Sequence, residues 1–270
     1  PAIIVPKKDG DIRICVDMRQ ANMAIERERH PIPTVDDILY RMNEAEIVSK
    51  LDLTMAFHQI ELEPSSRHIT TFVTHKGLYR YKTLNFGVNA APEKYQKIIS
   101  QVFAECEGVE NLADDVVVHG RNRKEHDQRL QNVFEKLTEK GLTLNRSKCE
   151  FGMNKITFMG HVLSKHGIEP TEDRVKAVKT APRPTTAKQT RSFLGLVNYS
   201  AKFIKNFASI SEPLRKVTRQ DTTFMWGEEQ EKSYTALKEA MTNSKALGYF
   251  RLDAEKTQVI VDSSGIGLCG

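Results

Sequence analysis

VENLADDVVVHG, residues 109–120, sets two adjacent acids, Asp114 and Asp115, between apolar flanks, Leu112-Ala113 before them and Val116-Val117-Val118 after. β-Branched residues around a short polar centre predict a strand, a tight turn and a second strand. Two carboxylates carried into such a hairpin are costly, because like charges repel and burial strips away their water. A divalent cation would relieve that cost, and magnesium takes one or two carboxylates together with substrate phosphates. The plainer alternative is an exposed turn with the Asp pair at its tip, and at this point both remain open.

Upstream, residues 46–53 (EIVSKLDL) form another candidate strand, and Asp52 closes it just before a short helix-like segment, residues 54–60. Two-metal phosphoryl transfer needs carboxylates from separate strands to hold ions ~3.5–4 Å apart, and Asp52 with the Asp pair offers that set. Alone, Asp52 reads equally well as a helix N-cap.

Further outward the periodicities alternate. IRICVDMR (12–19) alternates apolar and polar, as a strand does, and residues 69–84 read as a hairpin turning at Lys76-Gly77. Ala91-Pro92-Glu93 opens a helix, with proline in its first turn and an acid behind it. Residues 123–140 predict an amphipathic helix with Leu130, Val133, Phe134 and Leu137 on one face, a basic last turn and Gly141 as its cap. Residues 142–163 return to strands, turning near 152–155. Pro170, Pro182 and Pro184 then mark a change of character. From 187 to about 217 Phe193, Leu196, Val197, Phe203, Ile204 and Phe207 recur at helical spacing; 228–241 is a further helix, and 257–262 a strand ending at Asp262.

Composition narrows the class. With 39% hydrophobic and 28% charged residues the chain can bury a core, and no run of eighteen apolar residues suggests a membrane span. The four cysteines, Cys15, Cys106, Cys149 and Cys269, show no CxxC pairing and read as reduced thiols. Charge is uneven: residues 171–220 carry eleven Lys and Arg against three acids, a net +8 in a chain whose total is +5. A basic segment beside a slightly acidic body suits a polyanion-binding appendage, although solvated basic helices are common. The opening, Pro1 to Val5, resembles the middle of a strand, so the chain is expected to continue a longer polyprotein.

LDLTMAFHQI, LNFGVNAAPEKYQ, LADDVVV, GLTLNRSKCEF and ITFMGHVLSKHGI occur here in the order and spacing of reverse transcriptases, and the chain most resembles those of gypsy-like LTR retrotransposons. RSFLGLVNYSAKFIKNFASISEPL extends the resemblance towards the C-terminal end. It implies an α+β, right-hand polymerase: fingers and palm with an antiparallel sheet (1–165), thumb (166–220), connector (221–255) and a truncated ribonuclease H-like β start (256–270). The implied activity is RNA-directed DNA polymerisation, extending a primer with dNTPs on an RNA or DNA template. Two Mg2+ ions, for which Mn2+ can substitute, would be held by Asp52, Asp114 and Asp115.

By the same resemblance Lys7 and Arg13 grip the incoming triphosphate, a point charge and a planar fork that both suit phosphate oxygens. Phe57 stands at the steric gate against a 2′-hydroxyl, and Phe86 lines the nucleotide pocket. Lys148 matches the lysine suggested as general acid to the departing pyrophosphate. Phe158, Met159, Gly160 and His161 match the primer grip, and Arg191, Lys202 and Lys205 suit a thumb helix tracking duplex phosphates. Asp262 matches the first carboxylate of a ribonuclease H site whose other acids lie beyond Gly270, so this chain is expected to lack that activity. The implied surroundings are the remaining Pol polyprotein segments inside cytoplasmic virus-like particles, with no membrane and no oligomeric state indicated. Two positions depart from the family pattern: Leu112 stands where a tyrosine is usual before the Asp pair, and Asn85 where LPFG has proline. These departures fit the rival expectation, a catalytically silent nucleic-acid-binding remnant.

Overall fold

The fold is described from a computed structural model covering all residues except 1, 7–9, 11, 43–44, 221, 245, 249–261, 264–267 and 270. For residues 2, 13, 262, 263, 268 and 269 it gives the backbone alone. The chain divides into two compact units, Pro1–Ile156 and Thr157–Gly270.

The first unit opens with a hairpin, β1 (Ala2–Pro6) and β2 (Ile12–Val16), then α1 (Arg19–Ala24) and α2 (Val35–Arg41). The alternation expected to run to residue 19 stops at Val16 for a local reason. Asp17 accepts from the Arg19 backbone N–H at 3.1 Å and from its guanidinium, which turns the chain into α1. Helix α2 was not anticipated; it starts at a reciprocal capping box, in which Thr34 accepts from the Asp37 N–H and Asp37 accepts from the Thr34 N–H.

Strand β3 (Ile47–Asp52) leads to a short hairpin, β4 (Phe72–Thr74) and β5 (Gly77–Tyr79), and then to α3 (Ala91–Val102). Next come β6 (Val109–Leu112), β7 (Asp115–Gly120), α4 (Arg123–Lys140) and β8 (Glu150–Met153). The main sheet is antiparallel, ordered β6-β7-β3-β8. Its two middle strands hold the apolar runs: Val116, Val117 and Val118 of β7, with Val48 and Leu51 of β3, are buried. Leu51, Val116 and Val118 share one core with Tyr95 and Ile99 of α3 and Val133 and Leu137 of α4. Helix α4 runs as expected from its Asn122 cap to Gly141, which adopts φ +67°. Ser49, fully buried in β3, lies 2.8 Å from His126 Nε2 and accepts from the Gly152 N–H at 2.9 Å. One hydroxyl thus ties β3 to both α4 and β8 and leaves no buried oxygen unsatisfied there.

The chain continues through β9 (Lys155–Phe158), β10 (His161–Ser164) and β11 (Gly167–Pro170), a three-stranded sheet. Helices α5 (Glu172–Thr180), α6 (Ala187–Asn198), α7 (Phe207–Lys216) and α8 (Glu228–Thr242) follow. Val178, Phe193, Val197, Leu214, Leu237 and Met241 form their core. The helical pattern of 187–217 is interrupted: α6 ends at Asn198, and Asn206, at φ +58°, redirects the chain before α7. Two two-residue strands, β12 (Asp262–Ser263) and β13 (Leu268–Cys269), pair near the end; the expected strand at 257–262 otherwise falls outside the described residues. No helix among the described residues is long and apolar enough to cross a membrane.

Candidate active site

The register of the main sheet decides where the acids go. Asp52, last in β3, lies opposite Asp115, first in β7, and the Leu53 N–H reaches the Asp114 carbonyl at 3.5 Å. The β6–β7 connection is only Ala113-Asp114, with Ala113 at φ +53°. This brings Asp52 and Asp114 to one cavity of about 560 Å³, which also meets Phe57, Phe86 and Lys148. Ile12 and Ile14 of β2 also line it.

Beyond Asp52 the chain turns through Met55, at φ +46°, into a 3-10 turn, Ala56–Gln59. Met55, not Asp52, caps that turn, so the capping alternative for Asp52 does not hold. Gln59 locks the turn: its amide donates to the Thr54 and Thr143 carbonyls, and its oxygen accepts from the Thr143 N–H at 2.7 Å. The Asn145 N–H donates to the Asp52 carbonyl at 2.9 Å, and this strap continues into the 3-10 turn carrying Lys148. Phe57 sits between Phe86, ring centroids 5.2 Å apart, and the fully buried Tyr95, at 5.3 Å.

Burial raises the pKa of Asp52; Lys148 and Lys50 oppose the rise and Asp114 adds to it. The phenol of Tyr95 is held well above its ordinary value, first by burial and then by the negative charge of Asp114 and Asp52. Asp115 behaves differently. Burial raises it, but Lys50 Nζ stands 3.1 Å from Oδ2 and pulls the other way. Asp115 does not line the cavity, so two of the three expected carboxylates converge while the third is engaged by a lysine. Among the described residues no three His, Cys, Asp or Glu side chains are gathered tightly enough to hold a metal ion by themselves.

Lys7 lies outside the described residues; the Arg13 backbone pairs with Val5 in the first hairpin, and its side chain is not among those described. Asp262 is placed by its backbone only. In the second unit Phe158 is fully buried and serves as core. Met159 and Gly160, at φ +47° and +72°, make the turn between β9 and β10. Tyr199 donates to the Met159 carbonyl at 2.6 Å and stacks on buried His161, while the Arg174 guanidinium lies 3.6 Å over its ring. Arg191, Lys202 and Lys205 do not share a helix. Arg191 belongs to α6 and donates to the Thr218 carbonyl, Lys202 sits on a 3-10 turn, and Lys205 follows it, exposed.

Sequence reasoning missed Gln96. This residue, 1% exposed, accepts from the Ala113 N–H at 3.0 Å and donates to the Asn111 carbonyl at 3.1 Å. It lies inside the quoted block LNFGVNAAPEKYQ, but a glutamine on a helix gives no sign of what its amide reaches. The departure at Asn85 is fully buried; its amide donates to the Phe86 carbonyl, and its own oxygen finds no partner among the described residues.

The family profile described as reverse transcriptase (RNA-dependent DNA polymerase) matches residues 5–163. The chain belongs to that family and carries the reverse transcriptase domain found in retrotransposon Pol polyproteins. It is 34% identical over 278 residues to the retrovirus-related Pol polyprotein from transposon 412 of Drosophila melanogaster, covering 100% of this chain and 22% of that protein. The chain therefore spans about a fifth of that relative's length. Its fold matches the foamy viral protease-reverse transcriptase solved with double-stranded DNA, at TM-score 0.86 and 24% identity over 92% of this chain and 44% of that one. The same foamy viral enzyme bound to an RNA/DNA hybrid matches at TM-score 0.80 and 23% identity, over 92% of this chain and 34% of that one.

Proposed function

We propose that this chain is the catalytic part of an RNA-directed DNA polymerase that adds dNTPs to a primer 3′-end on an RNA or DNA template. The observation that carries this is the convergence of Asp52, at the end of β3, and Asp114, in the β6–β7 turn, on one cavity also lined by Phe57, Phe86 and Lys148. The donor set suits magnesium, which accepts one or two carboxylates and fills its remaining positions with phosphate oxygens and water. Two such ions, Mg2+ or Mn2+, would supply a more acidic primer hydroxyl and neutralisation of the triphosphate.

The residues themselves do the rest. Asp52 and Asp114 offer carboxylate oxygens, and Asp115, neutralised in part by Lys50, sets the local field. Phe57, backed by Tyr95 and Phe86, presents a rigid ring beneath the sugar and disfavours a 2′-hydroxyl. Lys148, exposed at the edge of the cavity, meets the growing charge on the pyrophosphate and can donate its proton. Lys7 and Arg13 are proposed to grip the triphosphate, as the family resemblance implies. The turn at Met159-Gly160 seats the primer end, and the basic 171–220 segment follows duplex phosphates. On this reading residues 1–165 are fingers and palm, 166–220 thumb, 221–255 connector and 256–270 the start of a ribonuclease H-like domain.

Primer extension on poly(rA)–oligo(dT) with magnesium tests the proposal. The native chain is expected to extend, and Asp114→Asn to extend at least ~10³-fold more slowly, a loss of about 4 kcal/mol of transition-state stabilisation. Duplex binding without extension, in magnesium and in manganese, would instead identify a nucleic-acid-binding remnant.

A further inference from the structure

We infer that Gln96 is the positioning residue for Asp114, holding the carboxylate-bearing turn by a two-sided amide clamp; the inference rests on the polymerase reading above. Among the described residues the Asp114 carboxylate makes no hydrogen bond or ion pair of its own, whereas Asp115 is held by Lys50. The direction of Asp114 is therefore set by its backbone, and that backbone is a two-residue turn whose first residue, Ala113, occupies the left-handed region at φ +53°. A non-glycine residue persists there only when its surroundings over-determine it.

Gln96 supplies that constraint. Its Oε1 accepts the Ala113 N–H at 3.0 Å, and its Nε2 donates to the Asn111 carbonyl at 3.1 Å and to Ser100 Oγ at 3.2 Å. The amide therefore grips the turn residue and the strand residue two positions before it, from a helix whose Tyr95 and Ile99 are buried in the same core. Few side chains carry a donor and an acceptor on one planar group at this reach. Glutamate could accept from Ala113, but when ionised it could not donate to Asn111. Methionine could do neither. The preceding residue, Tyr95, supports Phe57, so two successive residues of α3 position the carboxylate turn and the ring beneath the sugar.

The test compares the native chain with Gln96→Met and Gln96→Glu, with Asp114→Asn as reference. Gln96→Met is expected to lower kcat for single-nucleotide addition 10- to 100-fold while leaving dNTP KM within threefold and duplex affinity unchanged. Mn2+ titrated into the nucleotide-free protein and read by electron paramagnetic resonance should bind at least fivefold more weakly. Gln96→Glu supplies a readout that loss of packing would not move. Its activity relative to the native chain should rise as pH falls from 8 to 6, as the protonated carboxyl regains a donor for Asn111. The inference is overturned if Gln96→Met keeps kcat within twofold, if duplex affinity falls in parallel with kcat, or if the Gln96→Glu ratio is flat with pH. Should Gln96→Met fail to fold, the Gln96→Glu profile decides. Should the native chain not extend at all, the polymerase reading fails first, and Mn2+ affinity alone decides the role of the clamp.

Discussion

Among the described residues two hairpin turns place a non-glycine residue at positive φ, Ala113 between β6 and β7 and Met159 between β9 and β10, and they are secured differently. The Met159 turn continues into Gly160, so both central residues lie at positive φ, the arrangement that matches the natural twist of paired strands. Such a turn needs little help, and one phenol, Tyr199, holds its carbonyl from outside. The Ala113 turn has no glycine, ends in a carboxylate facing a cavity, and is gripped through both its N–H and the preceding strand. The first turn is required only to have a shape; the second has to aim a charge. A two-sided side-chain clamp marks the latter; a glycine at the second positive-φ position and a single outside hydrogen bond mark the former.

The comparison breaks first at Gly160. A β-branched side chain at φ +72° is strained, and its Cβ would stand 2.6 Å from an Arg174 guanidinium nitrogen, although that flexible end can move aside. Gly160→Val is expected to destabilise the second unit by about 2 kcal/mol, seen as an earlier transition in urea followed by tryptophan fluorescence, since Trp226 lies in that unit's packing. An unchanged midpoint would mean that the turn's shape is not set by its glycine.

A smaller effect is expected at Tyr199. Tyr199→Phe deletes one hydroxyl donating to the Met159 carbonyl but keeps the ring beneath Arg174 and beside His161. The loss should be about 1 kcal/mol in the same urea experiment, because the half-exposed carbonyl can return to water. A loss as large as that of Gly160→Val would show that this turn, too, depends on an outside clamp, and the distinction between the two turns would go.

Most of the frame and the acids themselves were legible in the sequence. The valine run with its acid pair, the strand ending at Asp52 and the helix from 123 to 140 each follow from local periodicity and caps, which a linear reading sees well. What could not be read was tertiary. That Asp115 would pair with Lys50 depends on the register of β3 against β7, and that Gln96 would reach Ala113 depends on how α3 lies beside β6. Phe158 shows the limit from the other side, since a motif position expected to meet the primer is fully buried. Helices α2 and α5 escaped because each is short: seven and nine residues give periodicity little room, although Thr34 with Asp37, and Thr171 followed by two acids, stand at their starts.

The smallest expected effect concerns the cost of aiming charge into a cavity. Burial raises the pKa of Asp52 in the folded chain above its unfolded value, with Lys148 and Lys50 only partly offsetting the rise. A carboxyl shifted upwards binds its proton more tightly when folded. Its favourable contribution is therefore complete below the unfolded pKa and is lost as pH rises through the folded one. At neutral pH the ionised group is a burden, and Asp52→Asn, neutral at every pH, should melt slightly higher than the native chain in metal-free buffer. The difference should be under about 1 kcal/mol, since Asp52 is only half-buried and solvent screens it. It should shrink towards zero near pH 3, where the native carboxyl is itself protonated. Added magnesium should then stabilise the native chain and not the variant. A variant that melts lower at pH 7, or by the same margin at both pH values, would show that Asp52 is tolerated for packing rather than kept for its charge. A higher-melting variant that no longer extends a primer would place the cost of the site on the same carboxylate that performs the chemistry, as a site built to bind cations rather than to stabilise a fold requires.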